Sequence, residues 1–253
     1  MQRYFVSPDA IQDERVRITG DDVKHITRVL RMQPGAQVIC ADGTGRSYLV
    51  RLTELGQDAA VGDIIKPLQE NVEPEVKLTL VQGLPKGDKM DLIVQKGTEV
   101  GITHFVPVET ARTIVQYDAK KESKRRDRWQ RIAKEAAEQA HRTVIPMIEE
   151  VQPFRQWLAQ KAASFDLILL AYEGETPHGL RQELDRHAGG VSDTGGSIAL
   201  IVGPEGGLDP EEVAVATQSG ARVITLGPRI LRTETAGPVA AAMILYHFGQ
   251  MGG

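Results

Sequence analysis

Residues 198–212 read IALIVGPEGGLDPEE, and they decide how the rest of the chain is organised. Ile198 to Val202 form a strand short and apolar enough to be buried on both faces. Gly203-Pro204-Glu205-Gly206-Gly207 breaks that strand. Asp209 then stands where a helix N-cap belongs, with Pro210 at the first helical position and Glu211 and Glu212 at the positive end of the helix. In an open parallel sheet, ligands gather at loops that leave the carboxyl ends of strands in this way. Glycines there let backbone amides and carbonyls approach a ligand unobstructed. The same residues also suit a tight strand-to-helix turn with no ligand.

A second loop, LGPRILRTETA over 226–236, follows the apolar run Arg222–Thr225 and repeats the theme. Ile230 and Leu231 either line an apolar cofactor slot or form a small satellite core beneath the loop. Working outward, Val76–Val81, Thr103–Val108 and Phe165–Ala171 read as further strands. Helices are expected near Lys89–Val100, Glu122–Ala140, Glu211–Ser219 and Val239–Phe248, and glycine-rich Gly189–Ser197 reads as a surface connection. Strands separated by helices imply an α/β fold with a mostly parallel sheet covered on both faces.

Upstream the texture differs. Arg3–Val6, Val16–Ile18, Gln37–Cys40, Ser47–Leu52 and Ala60–Ile65 read as short strands. One helix fits Asp21–Leu30, and turns fall at Pro34-Gly35 and Asp42-Gly43. Many short strands in so few residues suggest a small barrel. The polar stretch Glu70–Pro74 is the natural boundary, so the expectation is a barrel over 1–70, a linker over 71–75 and an α/β domain over 76–253.

Thirty basic and 34 acidic residues give a net charge of -4, so the total does not advertise nucleic acid, although a local basic surface remains compatible with it. Cys40 is the single cysteine, which excludes an internal disulfide and any multi-thiolate metal site. No apolar run is long enough to span a bilayer, and no cleavable leader is visible in MQRYFVSPDA. A cytoplasmic protein is therefore expected. A dinucleotide fingerprint is missing: Gly43-Thr44-Gly45 lies between barrel strands, and Gly83–Gly87 has its lysine too early for a phosphate-binding P-loop. A phosphate-poor cofactor such as S-adenosyl-L-methionine stays compatible, but composition does not select it.

The two loops, together with EAAEQ (135–139), LPKGDKMD (84–91), QKGTEVG (95–101), the N-terminal RYF (3–5) and the segment from His25 to Arg31, resemble the RsmE-type members of the SPOUT methyltransferase superfamily. The resemblance covers essentially the whole chain. It implies a PUA-like β-barrel followed by a SPOUT domain with a C-terminal trefoil knot, a fold that general rules against threaded connections would never predict. It further implies transfer of a methyl group from S-adenosyl-L-methionine to N3 of a specific uracil in 16S, small-subunit, ribosomal RNA. A homodimer, with the RNA held within a ribosomal particle, is also implied. The cofactor contacts it implies are Leu170, Gly203, Pro204, Gly207, Leu226, Gly227, Ile230, Leu231, Thr235 and Ala236. Departures are Gly97 and Val100, and Pro238 in the early part of the last helix, which is cheap only if that helix starts late, for instance with Thr235 as cap.

For the chemistry, Arg232 is the first candidate to orient the base or stabilise charge on its oxygens; a phosphate contact or an ion pair with Glu234 or Glu205 are its other readings. Glu205 is a candidate catalytic carboxylate, weakened as a base by its place near a helix N-terminus. RNA contacts are expected from Arg3, Lys24, His25, Arg28, Arg31, Lys86 and Arg142, with Arg112 a lesser candidate. The densest basic run, Lys120, Lys121, Lys124, Arg125 and Arg126, reads as phosphate-binding or as a solvated helix face. Nothing in the spacing of His104, Tyr117, His141, His178 or Cys40 supports a catalytic or metal role. A methyltransferase of another RNA, such as a transfer-RNA ribose enzyme, and a non-catalytic ribosome-assembly protein are the competing readings.

Overall fold

In RVRIT, β3 (Arg15–Thr19), Val16 and Ile18 are buried while Arg15, Arg17 and Thr19 are exposed, the period of two that a half-buried strand requires. The computed structural model describes residues 1–115, 118–174, 178–192 and 195–252. It falls into two units: Met1–Glu73 with Ala137–Ile145, and Pro74–Ala136 with Pro146–Gly253. Tyr117, Asp193 and Thr194 lie outside the described residues.

The first unit adds β1 (Arg3–Phe5), β2 (Ile11–Gln12), β4 (Gln37–Ala41), β5 (Ser47–Leu55) and β6 (Ala59–Leu68) to β3, in the sheet order β1-β4-β5-β6-β3-β2. Only β1 and β4 run parallel; the other pairs are antiparallel. The helix expected over Asp21–Leu30 is split into α1 (Asp21–Lys24) and a wider π-type turn, His25–Val29. Val23 and Ile26 from this segment join Tyr4, Val16, Ile18, Val38, Val50 and Leu52 in one core.

The boundary differs from the expected one, which assigned all of 76–253 to the second domain. Ala137–Ile145 groups with the first unit because Ala137 and Ile145 share an apolar cluster with Phe5 and Ala41. Polar bonds reinforce it: the Phe5 amide donates to Glu138 at 3.1 Å, and the Arg3 guanidinium to the Arg142 carbonyl at 3.2 Å. Nor is the polar stretch at the boundary loose. Glu70 accepts from Arg3 and Ser47, and Glu73 accepts from Arg142 at 2.6 Å and from the amides of Thr143 and Val144.

The second unit alternates strand and helix: β7 (Lys77–Gly83), α2 (Lys89–Val100), β8 (His104–Glu109), α3 (Ala119–Gln139, whose last turn belongs to the first unit), β9 (Met147–Ile148), β10 (Gln152–Pro153), α4 (Phe154–Lys161), β11 (Leu167–Ala171), α5 (Leu180–Ser192), β12 (Ser197–Val202), α6 (Pro210–Gln218), β13 (Arg222–Ile224) and α7 (Thr233–His247). Every pairing in its sheet, β10-β8-β7-β12-β11-β13 with β9 beside β8, is parallel, so the carboxyl ends share one edge. Val81, Val106, Ile168, Leu170, Ala199 and Ile201 pack on Phe154 and Trp157 of α4.

Two helices, α4 and α5, were not expected from the sequence, and α5 runs through Gly189 and Gly190, which read as part of a connection. In α3, Trp129, Ala133 and Ala136 are buried as their spacing predicts, but Ile132 and Ala140 are only half-buried and Ala137 takes a place in the core instead. Asp209 caps α6 in a reciprocal box, accepting from the Glu211 amide while Glu212 accepts from the Asp209 amide. The last helix starts at Thr233, before Thr235, so Pro238 lies inside it. Lacking an N–H, Pro238 leaves the Glu234 carbonyl without its helical bond.

Candidate active site

Loops from three adjacent strands converge at the carboxyl edge of the second sheet. Tyr172 and Glu173 follow β11, Gly203, Pro204, Glu205, Gly207 and Leu208 follow β12, and Thr225–Arg232 follow β13; with Lys89 of α2 and the first turn of α7 they line an open cavity of about 580 Å³. That volume lies within the range of small-molecule sites, roughly 300–1,000 Å³.

Backbone geometry explains the glycines. Gly207 has φ +69° and its amide bonds to the Pro204 carbonyl at 2.9 Å, closing a turn that a side-chain residue adopts with strain. A Cβ on Gly83, at the end of β7, would meet Pro204 Cδ at 2.5 Å and Pro204 N at 2.7 Å, so the first loop rests directly on that strand end. A three-way clasp holds the start of α7 against it. The fully buried Gln82 donates to Thr233 Oγ1 at 2.9 Å and to the Gly83 carbonyl, and Thr233 donates to the Gly203 carbonyl at 2.7 Å.

Charged groups rim the cavity. Glu205 accepts from the Lys86 amide at 3.0 Å and from Lys89 Nζ at 2.7 Å. Burial raises its carboxyl, but the Lys89 hydrogen bond and the backbone amides outweigh this and hold it below the usual carboxylate range. Such a carboxylate is better suited to fastening the loop than to accepting a proton. Arg112 donates to the Gly206 carbonyl at 2.8 Å from the far side. Arg232, 84% exposed at the N-cap of α7, leaves its guanidinium in solvent 4.0 Å from Glu234.

Of the cofactor contacts expected from the resemblance, Gly203, Pro204, Gly207, Leu226, Gly227, Ile230, Leu231 and Ala236 line the cavity, as do Arg232 and Glu205. Ile230 is 81% exposed, an apolar side chain standing open at the mouth rather than in a satellite core. Leu170 does not line it: the strand alternation buries Leu170 in the core, and its neighbour Ala171 faces the cavity. Thr235 is exposed outside the lining, because the helix turns it away while Ala236 faces in. Sequence reasoning missed Tyr172, Glu173, Thr225, Lys89 and Glu234 as lining residues. The first three stand just past strand ends, where the edge rule for parallel sheets would have found them.

The expected RNA contacts divide. Lys24, Arg28, Arg31 and Lys86 are exposed, Lys24 pairing with Asp21 at 2.7 Å. His25 is half-buried with Nδ1 3.1 Å from the Tyr4 hydroxyl. Arg3 and Arg142 are corrected by the structure: only 3% and 4% exposed, they serve Glu70 and Glu73 as internal ion pairs and have no surface for phosphate. In the basic run, Lys124 is exposed, while Arg125 and Arg126 reach Asp88 and Glu150 at 3.0 and 2.6 Å. Among the described residues no group of three or more His, Cys, Asp or Glu is placed to hold a metal, and no helix is long and apolar enough to cross a membrane.

Comparison with known proteins divides the chain into two family matches. Residues 72–245 match the family described as RNA methyltransferase domain, and residues 18–65 the one described as RNA methyltransferase PUA domain. The chain is 41% identical over 251 residues to the ribosomal RNA small subunit methyltransferase E of Bacillus subtilis (strain 168), covering 97% of this chain and 96% of that protein. Its fold is similar to a crystal structure of a ribosomal RNA small subunit methyltransferase E from Neisseria gonorrhoeae bound to S-adenosyl methionine, with TM-score 0.82, 30% identity and 97% of each chain covered. A Legionella pneumophila methyltransferase in complex with the same cofactor superposes with TM-score 0.83, 26% identity and 96% of each chain covered.

Proposed function

The chain belongs to the ribosomal RNA small subunit methyltransferase E family, and from that premise we propose that it transfers the methyl group of S-adenosylmethionine to N3 of one uracil in 16S ribosomal RNA. The observation that carries this reading is the pair of Gly-Pro loops, after β12 and β13, meeting around a cavity of about 580 Å³. Their backbone groups, with the apolar Ile230 and Leu231, suit a cofactor bound through main-chain bonds and apolar contact, and no phosphate cradle is needed. When bound, that cofactor supplies an activated methyl on a sulfonium.

The protein's task is then to align the methyl carbon with the attacking nitrogen, exclude water and manage charge. Loss of the N3 proton spreads negative charge over the uracil oxygens. Arg232 donates to them in parallel, a role supported by its place in the cavity lining and by a guanidinium uncommitted to any short bond. Glu205 fixes the first loop through Lys86 and Lys89. Lys24, Arg28 and Arg31 of the first unit, and Lys86 and Lys124 of the second, are exposed cations for phosphates, which position RNA without reading sequence.

Three finer features belong to the same proposal. The C-terminal segment is threaded as a trefoil knot, supported by the Gln82–Thr233–Gly203 clasp that ties α7 between strand ends made much earlier. The enzyme works as a homodimer, supported by the exposed apolar residues Val239, Met243 and Tyr246 along one side of α7 and Leu92 on the neighbouring α2. It acts in the cytoplasm on RNA within a ribosomal particle. Calorimetric titration with S-adenosylmethionine and with NAD, followed by methyl transfer to undermethylated small subunits and to bare 16S RNA, tests the whole reading. Primer extension then locates the product, since an N3 methyl blocks the Watson–Crick edge. Saturable binding of NAD instead, or a methyl found on a ribose, would replace the proposal.

A further inference from the structure

Three carboxylates line the cavity: Glu173, which is exposed to solvent, and Glu205 and Glu234, whose surroundings are opposite. Glu205 is saturated with donors, from the Lys86 amide and Lys89 Nζ. Glu234, in the first turn of α7, is 13% exposed, and among the described residues no donor reaches either of its oxygens within hydrogen-bonding distance. Oε2 is shut off from solvent and lies 3.9 Å from Lys89 Nζ, beyond hydrogen-bonding distance, while Lys89 makes its short contact with Glu205. Oε1 has Arg232 Nη1 at 4.0 Å as its ion-pair partner. Buried carboxylate oxygens are ordinarily hydrogen-bonded, so one left open in a ligand cavity calls for an explanation.

We infer that Glu234 is the proton acceptor for the target base. This rests on the uracil-N3 reading above. A uracil N3 carries a proton at neutral pH, and its nitrogen pair is free to attack only as that proton leaves. In the step, the N3–H bond breaks toward Glu234 and the carboxylate becomes a carboxylic acid. The nitrogen pair forms the new N–C bond to the methyl carbon, and the methyl–sulfur bond breaks with its electrons remaining on sulfur as a thioether. Charge balances: one carboxylate and one sulfonium become two neutral groups. An acceptor must have lone pairs not occupied by donors and must lie beside the reacting atoms. Of the three, Glu205 fails the first condition and Glu173 stands exposed to solvent, whereas Glu234 keeps an unpartnered oxygen in the first turn of α7, two residues from Arg232. Arg232 then faces the base oxygens and Glu234 its N3–H, so the pair separated by one residue divides the two tasks. The charged groups facing Glu234 are Lys89 from α2, Arg232 from the preceding turn and, through Lys89, Glu205 from the β12 loop.

The test uses the full-length protein, S-adenosylmethionine and small-subunit RNA whose methylation by wild type at uracil N3 has first been mapped. Glu234→Gln keeps shape and removes the accepting charge; Glu234→Ala leaves a hole the size of formate. Both are expected to bind S-adenosylmethionine by calorimetry within about threefold of wild type, while single-turnover transfer falls by roughly 100-fold or more, the usual scale of a lost general base. Added formate is expected to restore the rate of Glu234→Ala, with no effect on Glu234→Gln. A rate within fivefold of wild type, a loss that formate does not relieve, or a cofactor affinity that falls in step with the rate each overturns the assignment. Should wild type itself place no methyl on a uracil N3, the underlying function is wrong and this inference falls with it, an outcome visible before any variant is made.

Discussion

Replacing Gly83 with alanine tests whether the end of β7 sets the position of the first cofactor loop. The added Cβ would sit 2.5 Å from Pro204 Cδ and 2.7 Å from Pro204 N, where carbon contacts settle near 3.5 Å, so something must yield by about 1 Å. The strand cannot: Gly83 is in register with Val108 of β8, and Gln82 with Val202 of β12. The loop must move, and it is tied down by Thr233 donating to Gly203 at 2.7 Å. Stretching that bond by about 1 Å forfeits it, at about 1 kcal/mol, and overpacking adds about 2 kcal/mol. The expected loss of roughly 3 kcal/mol lowers Tm by roughly 6–12 °C for a chain of this size. The displaced loop should also weaken S-adenosylmethionine at least tenfold, about 1.4 kcal/mol. Differential scanning calorimetry and isothermal titration read the two effects. Gly179→Ala is the control, since nothing lies within 4 Å of a Cβ there. A Gly83→Ala protein with wild-type Tm and affinity would refute the claim that this contact places the loop.

Arg232→Ala is expected to bind cofactor normally and to transfer methyl at least tenfold more slowly, and unchanged single-turnover kinetics would remove its role at the base oxygens. Glu73 is raised by burial but lowered further by Arg142 and the Thr143 and Val144 amides, so its carboxyl titrates below the ordinary 4.5 in the folded protein. The sign follows: a depressed folded pKa stabilises above the unfolded value and is lost as pH falls through the folded one. Stability of the first unit should therefore decline from about pH 4.5 downward, and Glu73→Gln should flatten that limb while costing about 3 kcal/mol at pH 7, read by urea titration. Replacing Lys124, Arg125 and Arg126 by glutamine should weaken RNA binding and reduce its dependence on salt; an unaltered slope would return the run to ordinary surface charge.

What could be read in advance was local. Asp209, Pro210 and the glycines of the first loop carry their geometry in their own sequence, because caps and turns depend on neighbours only a few residues away. Both Gly-Pro loops were therefore placed correctly on strand ends, and eight of the ten expected cofactor contacts do line the cavity. Leu170 and Thr235 lie one position away from lining residues, Ala171 and Ala236, a matter of which face a residue presents rather than of which loop. Helix α5 was hidden because Gly189 and Gly190 each cost about 1 kcal/mol in a helix, a local penalty overruled by packing of its other face, where Leu180 and Leu184 are buried. Arg3 and Arg142 looked like surface cations because their partners are distant in sequence: Glu70 comes after all the strands of the first sheet, and Glu73 comes long before Arg142. The unpartnered oxygen of Glu234 was invisible for the same reason, since a missing donor is a property of space and not of a motif.

The discontinuous make-up of the first unit has a consequence for biosynthesis. Its N-terminal strands emerge from the ribosome well before the Ala137–Ile145 segment that covers Phe5 and Ala41 and supplies the partners of Arg3 and Glu73. At translation speeds of roughly 5–20 residues per second, the interval between residues 73 and 145 lasts roughly 4–14 s. Through that interval the nascent sheet carries an uncovered apolar patch, and the Glu73 carboxylate awaits its counterpart Arg142. A fragment cut after residue 73 would stay in that condition permanently, and a self-sufficient version has to carry the later segment with it.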